Sequence, residues 1–125
     1  TRDRSKDLIK SGGEWISSKD LENHIVSLPW VSLCAVVATA HPKWEERPVV
    51  VVVPMSGCGK TPEEMLKDVQ AHCASQFAKY EVPDDVVVWD ELPLTGTGKV
   101  SKLDIRTRLK REGYQLPELR KASKL

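Results

Sequence analysis

The sequence predicts a mixed fold, an α+β or α/β sandwich in which a small sheet carries packed helices. Short β-rich runs alternate with stretches of helical apolar spacing. Capping residues stand ahead of those helical stretches, and the connections between elements are short throughout. At 125 residues with 40% apolar content, the chain suits one domain with one modest core.

The first element is a hairpin over residues 6–17, where "DLI" and "WIS" flank "KSGGE". A glycine pair between short apolar runs marks a turn. Ser18 is expected to cap a helix on which Leu21, Ile25 and Leu28 share a face, with Pro29 as its stop. Residues 31–40, "VSLCAVVATA", read as a strand. Residues 49–53 read as another, a run of five valines between Pro48 and Pro54. Successive valines do not alternate with polar residues, so both faces of that strand are expected to be covered.

The second helix opens with Thr61 as cap, Pro62 at the first helical position and Glu64 completing a capping box. Its apolar stripe is expected to run through Met65, Val69, Cys73, Phe77 and Tyr80. A third strand follows at residues 86–89. Ser101 and Asp104 repeat the capping pattern and open a helix with Ile105 and Leu109 inward and Gly113 closing it. The tail after Tyr114 carries little apolar content and is expected to be mobile.

A formal net charge of +1 sets up no field that calls for nucleic acid or an acidic membrane. The longest apolar run, Val49 to Val53, is far too short for a transmembrane segment. Three widely spaced cysteines, Cys34, Cys58 and Cys73, argue against a disulfide framework or a zinc site and read as buried free thiols in a reducing compartment. The opening "TRDRSKDLIK" has no methionine start and no apolar leader, and reads as a cut inside a longer protein. At the other end, Ser123-Lys124-Leu125 reads as an address for a peroxisomal import receptor, set against the plainer reading of a polar tail after Pro117.

Several motifs dissolve on inspection. "GCGKT", residues 57–61, imitates the end of a phosphate-binding P-loop, but that loop asks for a glycine where Pro54 stands. It reads as a surface turn. His24, His41 and His72 are the three histidines, and none has metal-ligand spacing or a nucleophile in reach; all three read as structural. "RTRLKR", residues 106–111, reads as the wet face of the last helix, with cations near its C-terminal end.

Two stretches remain. In "DRSKDLIKSGGEWIS", residues 3–17, Arg4, Lys6 and Lys10 gather near a glycine turn with Trp15 just beyond. Cations, backbone amides and a flat ring suit the phosphates and base of a nucleotide. In "PLTGTGKVSK", residues 93–102, Gly96 and Gly98 permit unusual backbone angles beside Lys99, on a loop kept polar by Thr95 and Thr97. The alternatives are a charged hairpin and a solvated loop.

Together these stretches resemble the C-terminal domain of the acyl-adenylate-forming superfamily, which includes acyl-CoA synthetases, luciferases and peptide-synthetase adenylation domains. "DRSKDLIKSGGEWIS" resembles the hinge and hairpin of that family, and "PLTGTGKVSK" its closing Pro-x-Thr-x-x-Gly-Lys-x-x-Lys motif. "HPKWEERPVVVVVP", residues 41–54, and Glu22 also fit, and the resemblance runs to about Arg111. "KDLIKSGGEWISS" is most similar to medium- and long-chain fatty acyl-CoA synthetases. The fold that the resemblance implies is α+β, a small, mainly antiparallel sheet with an N-terminal β-hairpin, flanked by about three helices. It divides the chain into hinge and hairpin (1–17), core (18–112) and tail (113–125).

The resemblance implies a two-step ligation. A fatty acid carboxylate attacks the α-phosphate of ATP, accompanied by Mg2+, and coenzyme A then displaces AMP to form the thioester. The small domain turns on an N-terminal domain between the steps. Lys99 falls on the lysine that serves adenylation, where its ammonium meets charge developing between the carboxylate and the α-phosphate. Lys6 falls on the hinge, and Arg4, Lys6, Lys10 and Trp15 fall to nucleotide contacts. Gly12 and Gly13 fall on a turn beside the coenzyme A tunnel, where a side chain would obstruct the thiol. The phosphate loop, magnesium glutamate and acyl pocket of the family are not in this sequence, so the isolated chain is expected to be inactive. The tripeptide would direct the full ligase to a peroxisome or glycosome. Two other readings stand beside this one: a ligase for an aryl or other acid, and a non-catalytic nucleotide-binding or interaction module.

Overall fold

The computed structural model describes residues 8–94, 96, 98 and 100–116. Strands β1 (Leu8–Ser11) and β2 (Glu14–Ser17) form the hairpin, and helix α1 (Ser18–Ile25) follows without a break. Strands β3 (Val31–His41) and β4 (Glu45–Pro54) make a long second hairpin, then helix α2 (Pro62–Ala74), strand β5 (Asp85–Val88) and helix α3 (Lys102–Arg111) complete the order. A 3-10 turn, Lys79–Glu81, lies between α2 and β5.

The sheet runs β2-β1-β4-β3, with β5 also on β4. β4 pairs along its length with β3, and β5 is its one parallel neighbour, Val49 opposite Asp85 through Val52 opposite Val88. β1 reaches β4 at a single register position, Ser11 opposite Glu45. The sheet is therefore mainly antiparallel and the fold α+β, as the resemblance implies.

β4 explains the valine run. Val49 to Val52 are all fully buried. Val50 and Val52 face a layer with Ile9, Ile16, Leu21, Ile25, Met65 and Val69, from the first hairpin, α1 and α2. Val51 faces the other layer with Trp89, Leu92, Ile105 and Leu109. Alternation by two puts neighbouring valines on opposite faces, and each face is covered by helix.

Local details differ from the sequence reading for identifiable reasons. Ser17, not Ser18, caps α1, its hydroxyl accepting from the Asp20 amide at 3.2 Å, while Ser18 is buried in the first turn. α1 ends at Ile25, four residues before Pro29, which therefore does not terminate it. Pro48 lies within β4, where it faces Ala38, and does not bound the strand. α2 stops at Ala74, so Phe77 and Tyr80 fall outside it; Phe77 still packs on the core, whereas Tyr80 is exposed. β5 starts at Asp85, and Trp89 lies just past its end, with its amide donating to Val52 O at 3.0 Å. The segment after Tyr114 is not free at its start, because Leu116 is buried.

Candidate functional site

The first hairpin sorts its side chains by strand alternation. Ile9 and Ile16 pair across the strands and go into the core; Lys10 and Trp15 pair on the outer side. Trp15 is 59% exposed, and the Lys10 ammonium stands 5.7 Å from its ring centroid. A cation beside an open indole face presents charge and a stacking surface together.

The turn requires its glycines. Gly12 and Gly13 have φ of +58° and +91°, a pair of left-handed positions that a two-residue hairpin turn demands. Gly12 is constrained a second time, because its amide donates to Trp44 O at 2.8 Å and a Cβ there would lie 2.7 Å from Trp44 Cε3. Gly13 faces open space. The fold thus supplies reasons for both glycines within this chain, alongside the tunnel argument drawn from the resemblance.

Trp44 stands on the β3–β4 turn, which His41 organises: its Nδ1 accepts from the amides of Lys43 (3.0 Å) and Trp44 (3.2 Å). Glu45 follows with φ of +73°, the one non-glycine residue in left-handed backbone among the described residues. The hairpin is fastened to this region by two further bonds. Lys10 N donates to Glu46 Oε1 at 3.0 Å, and Arg47 Nη1 donates to Ser11 Oγ at 2.8 Å. The rest of the buried Arg47 guanidinium is used as well. It donates to Tyr80 O, Val82 O and, through Nε and Nη2, to Asp84 Oδ1 at 3.0 and 2.8 Å.

The lysine loop is described by its feet. Leu94 and Val100 form an isolated antiparallel bridge, and Ser101 N donates to Pro93 O at 2.9 Å. Between them Gly96 and Gly98 are exposed, Gly98 with φ of +85°. Ser101 caps α3 through Asp104 N at 3.3 Å. Lys102, the first residue of α3, donates to Glu22 Oε2 at 2.7 Å and to Ser18 Oγ at 2.9 Å. Ser18 directly follows the hairpin, so this contact sets the base of the loop beside the hairpin's exit. Glu22 Oε2 also accepts from Val36 N at 2.8 Å. Nearby, burial first and the Glu22 carboxylate second push the Cys34 thiol up to about 12.

Of the sequence-predicted site residues, the structure brings Lys10, Gly12, Gly13 and Trp15 together on one hairpin. Arg4, Lys6 and Lys99 lie outside the described residues. The sequence reading assigned no task to Arg47 or Trp44, although both stand in the quoted stretch 41–54. An arginine bordering a buried valine run was the available signal, since a cation there must find partners. The histidines are structural. His24 and His72 stack at 3.9 Å, each Nε2 at hydrogen-bond distance from the other's carbonyl.

Residues 20–99 match the family described as AMP-binding enzyme C-terminal domain. A long-chain-fatty-acid–CoA ligase of Thermus thermophilus is 50% identical over 109 residues, 87% of this chain and 19% of the relative. A 3-methylmercaptopropionyl-CoA ligase of Ruegeria pomeroyi is 49% identical over 109 residues, again 87% of this chain and 20% of the relative. In structure, ATP-bound MatB from Rhodopseudomonas palustris superposes with a TM-score of 0.76 at 30% identity, over 85% of this chain and 20% of that one. The chain spans about a fifth of the length of the curated relatives it matches.

Proposed function

The chain belongs to the AMP-binding enzyme C-terminal domain family, and on that premise we propose that it serves as the moving lobe of an acyl-CoA ligase that forms acyl-AMP from ATP and then a coenzyme A thioester. Relatives named as CoA ligases support this reading, and the neighbour bound to ATP supports the nucleotide. The observation that carries it is the outer face of the hairpin, where Lys10 and Trp15 offer charge and stacking surface beside a glycine turn.

In this reading Lys99 is carried into a neighbouring domain and neutralises charge as the carboxylate meets the α-phosphate. The effect is electrostatic and needs no proton transfer. Two glycines in the tether let the lysine arrive and withdraw. Lys10 and Trp15, with Arg4 and Lys6, are proposed nucleotide contacts, Lys6 doubling as hinge. Gly12 and Gly13 are proposed to border the path of coenzyme A. Among the described residues no group of three or more His, Cys, Asp or Glu side chains could hold a metal ion. We assign the magnesium that accompanies ATP to the rest of the full protein.

A fatty acid is the proposed acid, by likeness to the Thermus ligase. The Ruegeria relative, at nearly equal identity, is named as a 3-methylmercaptopropionyl-CoA ligase, so its acid is the second candidate. Where Ser123-Lys124-Leu125 forms the free end of the full protein, we propose it as a peroxisomal import address, and its deletion should disperse the protein to the cytosol.

The test is ATP–pyrophosphate exchange and thioester formation by the full-length protein across a panel of fatty and aryl acids. Exchange with at least one acid, followed by coenzyme A-dependent thioester release, is expected. Nucleotide binding with neither reaction would overturn the ligase reading in favour of a binding module.

A further inference from the structure

We propose that Lys102 is a positioning residue for Lys99: its bond to Glu22 fixes the C-terminal foot of the lysine loop against the helix that follows the hairpin. This rests on the ligase reading above.

Lys102 is oddly placed for a helix. It is the first residue of α3, at the positive end of the helix dipole, where a carboxylate is favoured and a cation is not. Its ammonium is nonetheless drawn across the fold, 2.7 Å from Glu22 Oε2 and 2.9 Å from Ser18 Oγ, and both side chains of the ion pair are about four-fifths buried. Glu22 is itself anchored. The same oxygen accepts from Val36 N in β3, and the Glu22 carbonyl accepts from the Cys34 thiol. The tie therefore ends on the sheet, not on a mobile side chain.

Among the described residues, the feet of the loop meet through the Leu94–Val100 bridge and the bond from Ser101 N to Pro93 O. Lys102 stands three residues after Lys99 in the chain, so the tie holds the covalent anchor of the segment that carries the lysine. The hairpin has independent fastenings in Arg47–Ser11, Gly12–Trp44 and Lys10–Glu46. Loss of Lys102 should accordingly disturb the step that uses Lys99 and spare the step that uses the hairpin.

The experiment uses the full-length ligase with Lys99→Ala, Lys102→Met, Lys102→Arg, Glu22→Gln and the Lys102→Met/Glu22→Gln double variant. Misplacing a reacting group by about 1 Å costs up to ~100-fold, so Lys102→Met should lower kcat for acyl-AMP formation by ~10- to 100-fold. KM for ATP should hold, and thioester formation from supplied acyl-AMP should stay within about twofold, since the hairpin's fastenings remain. Lys102→Arg should recover most of the rate. Glu22→Gln, which keeps an acceptor for Val36 N, should show the same selective loss, and the double variant should lose less than the sum of the single losses, as expected of two groups that share an ion pair. Equal loss in both half-reactions, or a fall in melting temperature with no half-reaction split, would reduce Lys102 to a structural tie and overturn the inference. Wild-type adenylation in Lys102→Met and Glu22→Gln, with Lys99→Ala inactive, would overturn it while sparing the ligase reading. Intact adenylation in Lys99→Ala would overturn both.

Discussion

Gly12 and Trp44 are in contact across two hairpins: the Gly12 amide donates to the Trp44 carbonyl at 2.8 Å, and a Cβ on Gly12 would meet the indole at 2.7 Å. Gly12→Ala combines that overlap with a left-handed φ, each worth roughly 1–2 kcal/mol. Gly13→Ala meets only the φ cost, because its surroundings are open. Thermal melts should rank Gly12→Ala as the more damaging. Equal losses would mean that the indole yields freely.

Arg47→Met should be among the costliest single changes in the lobe. It leaves Asp84, two carbonyls and Ser11 Oγ without their shared donor. Removing one partner of a buried ion pair costs about 3–5 kcal/mol, and Asp84's partial exposure points to the lower end. Urea denaturation should report the loss. Hydrogen exchange should show the Lys10 and Gly12 amides opening first, since Arg47 clamps the hairpin.

The thiols give a signed pH dependence. Burial pushes Cys73 up from its ordinary 9.0 to about 11, and burial with Glu22 pushes Cys34 up from 9.0 to about 12. Both stay protonated in the folded protein after the unfolded chain has begun to ionise. Their contribution to stability is fully present below pH 9 and is lost as pH rises through about 11 and 12. At pH 8 Cys34 and Cys73 should react with Ellman's reagent more slowly in the folded protein than in the urea-unfolded chain, Cys73 being buried outright. Labelling of Cys34 in the folded protein as fast as in the unfolded chain would contradict its raised titration.

The α2 cap was fully legible in sequence: Thr61 Oγ1 accepts from Glu64 N, and Glu64 Oε1 accepts from Thr61 N at 2.9 Å. Thr61→Ala should destabilise the domain by about 0.5–2 kcal/mol without touching either half-reaction.

That cap shows what a linear sequence exposes. Capping, turn chemistry and unbroken apolar runs are local, so Thr61, the Gly12–Gly13 turn and the doubly covered valines could be read directly. Element ends were less legible. Pro48 within β4 and Ile25 as the end of α1 depend on pairing partners, not on the residues beside them. Long-range ties were opaque. Arg47 reaches Ser11 across 36 residues and Lys102 reaches Ser18 across 84, and no spacing rule links such positions. Glu22 was noticed through resemblance, but its role in tying β3 to α3 needed coordinates.

The central claim is that the ammonium of Lys99 serves the first chemical step alone. The most direct measurement is the rate of each half-reaction in full-length Lys99→Ala. Acyl-AMP formation should fall by a hundredfold or more, about 3 kcal/mol of lost transition-state stabilisation, while coenzyme A should still be acylated from supplied acyl-AMP at close to the normal rate. Equal loss in both steps, or undiminished acyl-AMP formation, would contradict the account.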